Sequence, residues 1–280
     1  MSDKNFSVEF FQIGIDGDDL QPFENYLENL LEGYKPDFSK QFFGKIHKSD
    51  STHWHGTINL VKKDYLPQIY NTDDKSVRDM GLADSEGLLS VCAFMYVPKK
   101  KLLLVLKDFG APSFLPLLTF VKEKFDLRKC EASVLLRKEM YDKLSKAQAV
   151  KRFAFKVATI APDALSNDDN SIDFIQSLKK ISYGEMSVVF TSRKGNEVEK
   201  GWVTKIVDMF KRQPDRKVKE LTVTVTGDDR KAEMLNMLDY AFVSKVTMTT
   251  VNKTIQMADR ERALEKAYQD AKTDLEELGL

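Results

Sequence analysis

The side chains that most readily do chemistry stand together in this sequence. All three histidines, His47, His53 and His55, fall within nine residues. Gln41–Lys48 and Thr52–Val61 read as two strands of a hairpin around Ser49-Asp50-Ser51. In that hairpin His47 lies opposite His53, with His55 two residues along on the same face. Three imidazoles on one face are the material of a zinc-type site, which takes about four N, S or O ligands at roughly 2.0–2.3 Å. Asp50 adds an oxygen. The competing reading is an ordinary surface hairpin beside Trp54, because no helical His-Glu-x-x-His spacing is present and no cysteine joins the group. His47, His53 and His55 therefore stand as an alternative metal set, whose chemistry is that of a metal-dependent nuclease or hydrolase. The leading expectation is no cofactor.

Other catalytic signatures are missing. There is no Gly-x-Ser-x-Gly elbow, no phosphate-binding Gly-x-x-x-x-Gly-Lys-Ser/Thr loop and no Gly-x-Gly-x-x-Gly turn. The acidic pairs Asp73-Asp74, Asp168-Asp169 and Asp228-Asp229 sit in turn-like composition, where adjacent acids usually solvate a loop. Asp108-Phe109-Gly110 spells a kinase triplet without the other kinase motifs. The chain is expected not to be an enzyme.

Cationic groups suited to phosphate are better represented. The clusters are Lys99, Lys100 and Lys101; Arg137 and Lys138; Lys151 and Arg152; Arg193 and Lys194; Lys211 and Arg212; and Arg216, Lys217 and Lys219. Five of these six fall at expected element ends, from which side chains reach a phosphate backbone. Such contacts give salt-sensitive affinity with little sequence readout. No helix-turn-helix, zinc finger or RNP motif accompanies them. The bland alternative is a set of solvated faces, and Lys211-Arg212 also suits a helix C-terminus.

The overall charge argues at first against such a partner: 43 Lys and Arg balance 43 Asp and Glu over 280 residues. By segment the balance disappears. Residues 1–40 carry −6, 89–156 carry +9 and 193–220 carry +4, while 41–88, 157–192 and 221–280 carry −1, −3 and −3. Because charges beyond a Debye length of ~8 Å are screened, local density governs phosphate binding.

The elements that would position these groups follow from pattern. Phe6–Ile15 reads as a strand, and a helix capped at Asp18 or Asp19 runs to about Leu31, stopped by Gly33. Gly87–Val97 and Lys101–Lys107 form a second hairpin, whose Pro98-Lys99-Lys100 turn puts Lys99–Lys101 at one exposed tip. A helix over Ser113–Lys124, a strand over Cys130–Leu136 and a helix over Lys138–Lys146 follow. Arg152–Ile160 alternates, with Phe153, Phe155 and Val157 inward and Arg152, Ala154 and Lys156 outward. Ala161–Asn170 reads as a connector, Ser171–Lys179 as a helix and Glu185–Thr191 as a strand. A helix over Gly201–Lys211 and strands over Lys217–Thr226 and Val243–Val251 come next, with a weaker helix between those two strands. A final helix spans Met257–Leu278. Its stripe of Met257, Leu264, Tyr268, Ala271, Leu275 and Leu278 is near-heptad, although packing on its own domain is the commoner fate.

The fold expected is α+β, with two lobes of mixed, mainly antiparallel sheet, flanking helices and a C-terminal helix. The lobes are 1–149 and 150–254, followed by the helix 255–280 as a candidate dimer contact. With an apolar fraction of 42%, the chain has the material for a sizeable core. Two cysteines, Cys92 and Cys130, without metal spacing read as reduced and intracellular. The N-terminus lacks a signal-peptide pattern, and Leu88–Val97 is about half the ~20 residues a spanning helix needs. The expected location is cytoplasmic.

The segment Leu104–Val121, with Phe109-Gly110, Pro112, Leu117 and Phe120, resembles the strand–Phe-Gly-x-Pro–helix segment of the RexA family, the cytoplasmic half of lambda-type phage-exclusion pairs. Leu135-Leu136-Arg137, Phe153–Val157, the run Met186–Thr226 and Lys245-Val246 fit it too, as does the length. The nucleoid-associated RdgC-type proteins are a more distant likeness. The resemblance implies a homodimer that binds double-stranded DNA without strong sequence preference and acts in anti-phage defence. It also implies signalling to a small RexB-like membrane-channel partner, with a phage protein or protein–DNA complex as trigger. It carries over no catalytic residue. The N-terminal lobe, with Phe42-Phe43-Gly44 and His53-Trp54-His55-Gly56, matches less well. A third reading is a protein-interaction sensor that never touches nucleic acid.

Overall fold

The computed structural model describes residues 2–15, 21–31, 42–50, 52–64, 66–108, 110–127, 130–157, 186–192, 198–211, 218–227, 231–250 and 254–280. The connector Ala161–Asn170, the helix Ser171–Lys179, the caps Asp18 and Asp19, Gly33, and the pairs Asp168-Asp169 and Asp228-Asp229 lie outside them. The fold is α+β, as expected. Its two compact units are Met1–Glu9, Ile13–Cys130 and Ser244–Asp270 for the first, and Phe10–Gln12, Glu131–Val243 and Ala271–Leu280 for the second. The expected boundary at 149/150 thus falls inside the second unit, and residues 244–254 belong to the first.

The first unit is built on strands β1 (Ser2–Ile15), β2 (Phe42–Ser49), β3 (Trp54–Lys62), β6 (Leu88–Val97), β7 (Leu102–Lys107) and β13 (Val243–Thr250), in the spatial order β13-β1-β7-β6-β3-β2. A small hairpin, β4 (Ile69–Tyr70) and β5 (Val77–Arg78), interrupts the connection from β3 to β6. Along the run β2-β3-β6-β7 each strand pairs antiparallel with the next. Lys245 bonds Ser7, Thr247 bonds Asn5 and Thr249 bonds Asp3, so β13 runs antiparallel to β1. The Val243–Val251 pattern foretold a strand. Its partner is β1, more than 230 residues away, which no local pattern specifies.

The middle of this sheet is buried on both faces. Residues 92–97 of β6 and 102–106 of β7 are continuously buried apolar positions, the pattern of a strand covered twice. One cover is helix α1 (Gln21–Leu31), which buries Phe23, Tyr26 and Leu27 at helical spacing and sets Phe23 edge-on to Tyr96 at 5.0 Å. The other is α5 (Met257–Asp270), which packs on β6 and β7. Helix α2 (Leu115–Lys124) follows a turn in which Gly110 has φ +77°. It begins where Ser113 Oγ accepts a hydrogen bond from the Leu115 N–H.

Gly56 on β3 faces Phe94 on β6, and a Cβ there would lie 2.5 Å from Phe94 Cζ and 2.7 Å from Ile46 Cδ1. The Phe94 ring is fully buried and cannot swing out. Gly56→Ala is expected to cost about 1–3 kcal/mol of stability, read as a lower urea midpoint; an unchanged midpoint would show that the core yields there.

The second unit carries the sheet β10 (Met186–Thr191), β9 (Ala149–Val157), β11 (Val218–Thr226) and β12 (Ala232–Asn236), in that spatial order and antiparallel throughout. The short strand β8 (Cys130–Val134) pairs with β1, whose Phe10–Gln12 belong to this unit. Helices α3 (Lys138–Lys146) and α4 (Lys200–Lys211) contribute Met140, Leu144, Val203, Ile206 and Val207 to one core, with Phe153, Phe155, Leu221, Val223 and Leu235 from the sheet. The helix expected between β11 and β13 is absent among the described residues. Instead β12 hydrogen-bonds β11 and a short 3-10 turn follows at Met237–Tyr240. The final helix breaks at Ala271, with α6 (Lys272–Glu277) after it. Leu264, Ala271 and Leu275 of its stripe are buried within the chain, as a core-facing stripe would be.

Candidate functional site

The basic clusters divide by what surrounds them. Of the three lysines at the β6–β7 turn, Lys99 alone is exposed. Lys100 and Lys101 are half-buried, and Lys101 takes the left-handed conformation (φ 51°) with its carbonyl accepting the Ile13 N–H. The tip is therefore one free-standing lysine on a structured turn. Arg137 lies over the Phe242 ring, 5.4 Å from its centroid, and donates to the Val243 carbonyl. Lys138 stands 4.0 Å from Glu277.

Lys151 and Arg152 do not open a strand. They lie inside β9, which begins at Ala149. Arg193, Lys194, Arg212, Arg216 and Lys217 lie outside the described residues, as do the side chains of Lys211 and Lys219, which sit at the end of α4 and the start of β11.

Register assembles an outward face in the second unit. Because Phe153, Phe155, Val188 and Phe190 turn to the core, the period-two alternation sends their neighbours the other way. One cross-strand row is Thr191, Arg152 and Thr224, continued by Met234 on β12. The next is Val189, Ala154 and Thr222, and the third is Ser187, Lys156 and Glu220. Arg152, Ser187, Val189, Thr191 and Met234 are exposed. The face thus presents a guanidinium, an ammonium and several hydroxyls, with the Glu220 carboxylate opposite Lys156 and accepting from the Thr222 hydroxyl.

The histidines separate as well. A register irregularity between Ile46 and Lys48 puts Lys48, not His47, opposite His55, and Ser49 opposite Trp54. The expected His47–His53 pair is not formed: the register through Ile46↔Gly56 leads His47 toward His55, and the extra residue in β2 then gives that place to Lys48. His47 instead bonds the Thr57 hydroxyl through Nε2 at 2.9 Å. Burial and then the Lys45 charge lower its pKa.

His53 and His55 do stay together, edge to face with centroids 5.1 Å apart. The third member is Glu265 on α5, which the sequence reading missed. Its Oε1 lies 3.3 Å from His55 Nε2 and 3.6 Å from His53 Nε2. The ligand atoms of these three residues all lie within 4.8 Å of one another. Asp50 Oδ2 is 3.8 Å from His53 Nε2, and Lys48 Nζ is 3.5 Å from Glu265 Oε1 and 4.0 Å from Asp50 Oδ2.

The loop between β2 and β3 fixes the tautomer of His53. Asp50 Oδ1 accepts from the Thr52 hydroxyl at 2.6 Å and from the backbone N–H groups of Thr52 and His53. The Thr52 hydroxyl, and then those N–H groups, hold the Asp50 carboxyl far below the usual carboxylate range. The Thr52 proton is thus spent on Asp50, so Thr52 Oγ1 accepts from His53 Nδ1, 2.8 Å away. In a neutral ring this leaves the Nε2 lone pair facing the two carboxylates.

His55 begins a buried polar stripe on β3. Asn59 donates to Thr57, and Thr57 meets His47. His55 is fully buried, yet neither of its ring nitrogens has a hydrogen-bond partner among the described residues. Burial, then the His53 charge, lowers its pKa to about 4, so the ring is neutral at pH 7.

A second polar feature of the first unit is a cleft of about 620 Å³ lined by Lys4, Lys107, Asp108, Thr250 and Arg260 among others. Arg260 Nη2 pairs with Asp108 Oδ2 at 3.0 Å, and Lys107 with Glu9 at 3.3 Å. Both cysteines are free. Burial pushes the Cys92 thiol up to about 12, which makes it a core residue without nucleophilic character. No described helix is long and apolar enough to cross a membrane. No family model matches the chain, and no curated protein matches it.

Proposed function

We propose that the chain binds double-stranded DNA through its phosphates, without sequence readout, as a homodimer acting in phage exclusion. In this reading it senses phage DNA or a protein–DNA complex and signals to a small membrane-channel partner. The observation that supports binding most is the outward face of the second unit, where exposed Arg152 lies between Thr191 and Thr224, with Lys156 four residues on in the same strand. A guanidinium flanked by hydroxyls bonds phosphate oxygens in a fork geometry. Phosphate contacts of this kind fix position and carry no base readout of their own. The defence role rests on the RexA-like segment, whose Phe-Gly-x-Pro residues stand between β7 and α2.

The test is a mobility-shift titration of a mixed-sequence duplex at about 50 mM and about 200 mM salt. Wild type is expected to weaken at least tenfold across that range. Arg152→Glu is expected to weaken low-salt binding about tenfold and to reduce the log–log salt slope by about one. Binding absent at low salt would remove the DNA reading; wild-type affinity in Arg152→Glu would move the contact off this face.

A further inference from the structure

We propose that His53, His55 and Glu265 form a binding site for one zinc-type divalent ion, with Asp50 beside it as a fourth oxygen. The site joins the β2–β3 hairpin to α5, within the first unit. Three independent features converge on it.

The first is spacing. Ligands held at about 2.0–2.1 Å around a tetrahedral ion stand roughly 3.4 Å from each other. Glu265 Oε1 lies 3.3 Å and 3.6 Å from the two imidazole Nε2 atoms. These separations suit one shared ion better than hydrogen bonds, and neither nitrogen makes a hydrogen bond to the carboxylate.

The second is His55 itself. Its ring is fully buried, and among the described residues neither nitrogen makes a hydrogen bond, in a stripe where Thr57 and Asn59 are satisfied. Burying a polar group unpaired costs about 1–3 kcal/mol, a cost that a metal–nitrogen bond removes.

The third is orientation of His53. The chain Asp50–Thr52–His53 sets Nδ1 as the donor and leaves the Nε2 lone pair pointing at carboxylate oxygens. Lone pairs converging in this way call for a cation between them. This hydroxyl–carboxylate relay is also the outer support that orients metal-bound histidines.

Two imidazoles and a carboxylate suit Zn²⁺ over Ca²⁺ or Mg²⁺, which take oxygen ligands. Lys48 now balances Glu265 and Asp50. Its long side chain is half exposed and swings outward when an ion takes its place.

The test is stoichiometry and affinity for Zn²⁺ on chelator-stripped full-length chain, by competition with a chromophoric chelator. Visible absorption with Co²⁺ reports coordination number. One ion per chain is expected, with a four- or five-coordinate Co²⁺ spectrum. Glu265→Gln and His53→Ala are each expected to weaken binding at least tenfold, while His47→Ala binds as wild type. Both test positions are partly exposed, so folding is retained, with circular dichroism as the check. Less than one ion per chain, or wild-type affinity in Glu265→Gln, overturns the site and leaves an imidazole–carboxylate ion pair only. Equal loss in His47→Ala would restore the three-histidine set and overturn this one.

Discussion

Asp108→Ala is expected to destabilise the first unit by about 3 kcal/mol, more than the loss of its partner Arg260 would. Arg260 is 9% exposed, and its Nη1 has no hydrogen-bond partner among the described residues, so the guanidinium depends on the 3.0 Å contact with Asp108. Removing the carboxylate strands a buried charge. The reverse change is milder. Arg260→Met keeps an apolar stem against the sheet and frees a carboxylate whose side chain is 24% exposed and can hydrate. A cost of about 1–2 kcal/mol is expected there. The double variant is expected to recover most of the difference, because the pair is coupled. Urea midpoints read at Trp54, in a Trp202→Phe background, report this unit. Equal or reversed costs of the two single changes would show that the guanidinium is hydrated through the adjacent cleft and needs no counter-ion.

Local pattern carried much of the architecture. The α3 limits, Lys138–Lys146, coincide with expectation because Met140 and Leu144 give a helical repeat between a strand and Ala147. The β6–β7 hairpin was equally legible, since two long apolar runs flank Pro98. Partnership was not. Val243–Thr250 alternates like any strand, and nothing in it names β1. Ala232–Asn236 has helix-forming composition, yet it pairs with β11 because an antiparallel edge offers its backbone hydrogen bonds.

The candidate sites show the same division. That the histidines matter together was readable from their crowding, but their register was not, because a single irregularity after Ile46 exchanges Lys48 for His47 opposite His55. Glu265 could not be found by spacing, as it lies more than 200 residues from the hairpin and its helix carries several other acids. For the basic residues, the alternation of β9 foretold Arg152 and Lys156 outward. It did not reveal that Thr191 and Thr224 flank Arg152, since that follows from two registers set by the core residues on the opposite face.

Those core residues make the second strong expectation. Phe153→Ala should lower the stability of the second unit by about 3–5 kcal/mol, the range for truncating a buried aromatic. Phe153 is fully buried at the centre of an aromatic group, with ring centroids 5.7 Å from Phe155, 5.9 Å from Trp202 and 6.4 Å from Phe190. Strand neighbours on both sides hold it: Phe190 is its cross-strand partner on β10 and Val223 on β11. Collapse into the space left by the ring would require β9, β10 and α4 to move together, so the cavity term is not relieved. Phe153→Leu keeps most of the volume and should cost less than about 1.5 kcal/mol. Midpoints read at Trp202, in a Trp54→Phe background, measure both. The outward rows depend on the same registers, so under the proposed DNA binding Phe153→Leu should bind a duplex as wild type does while the fold persists. A cost for Phe153→Ala no larger than that for Phe153→Leu would mean that the aromatic group repacks around the loss. The face carrying Arg152 would then rest on hydrogen-bonded strand pairing more than on this core.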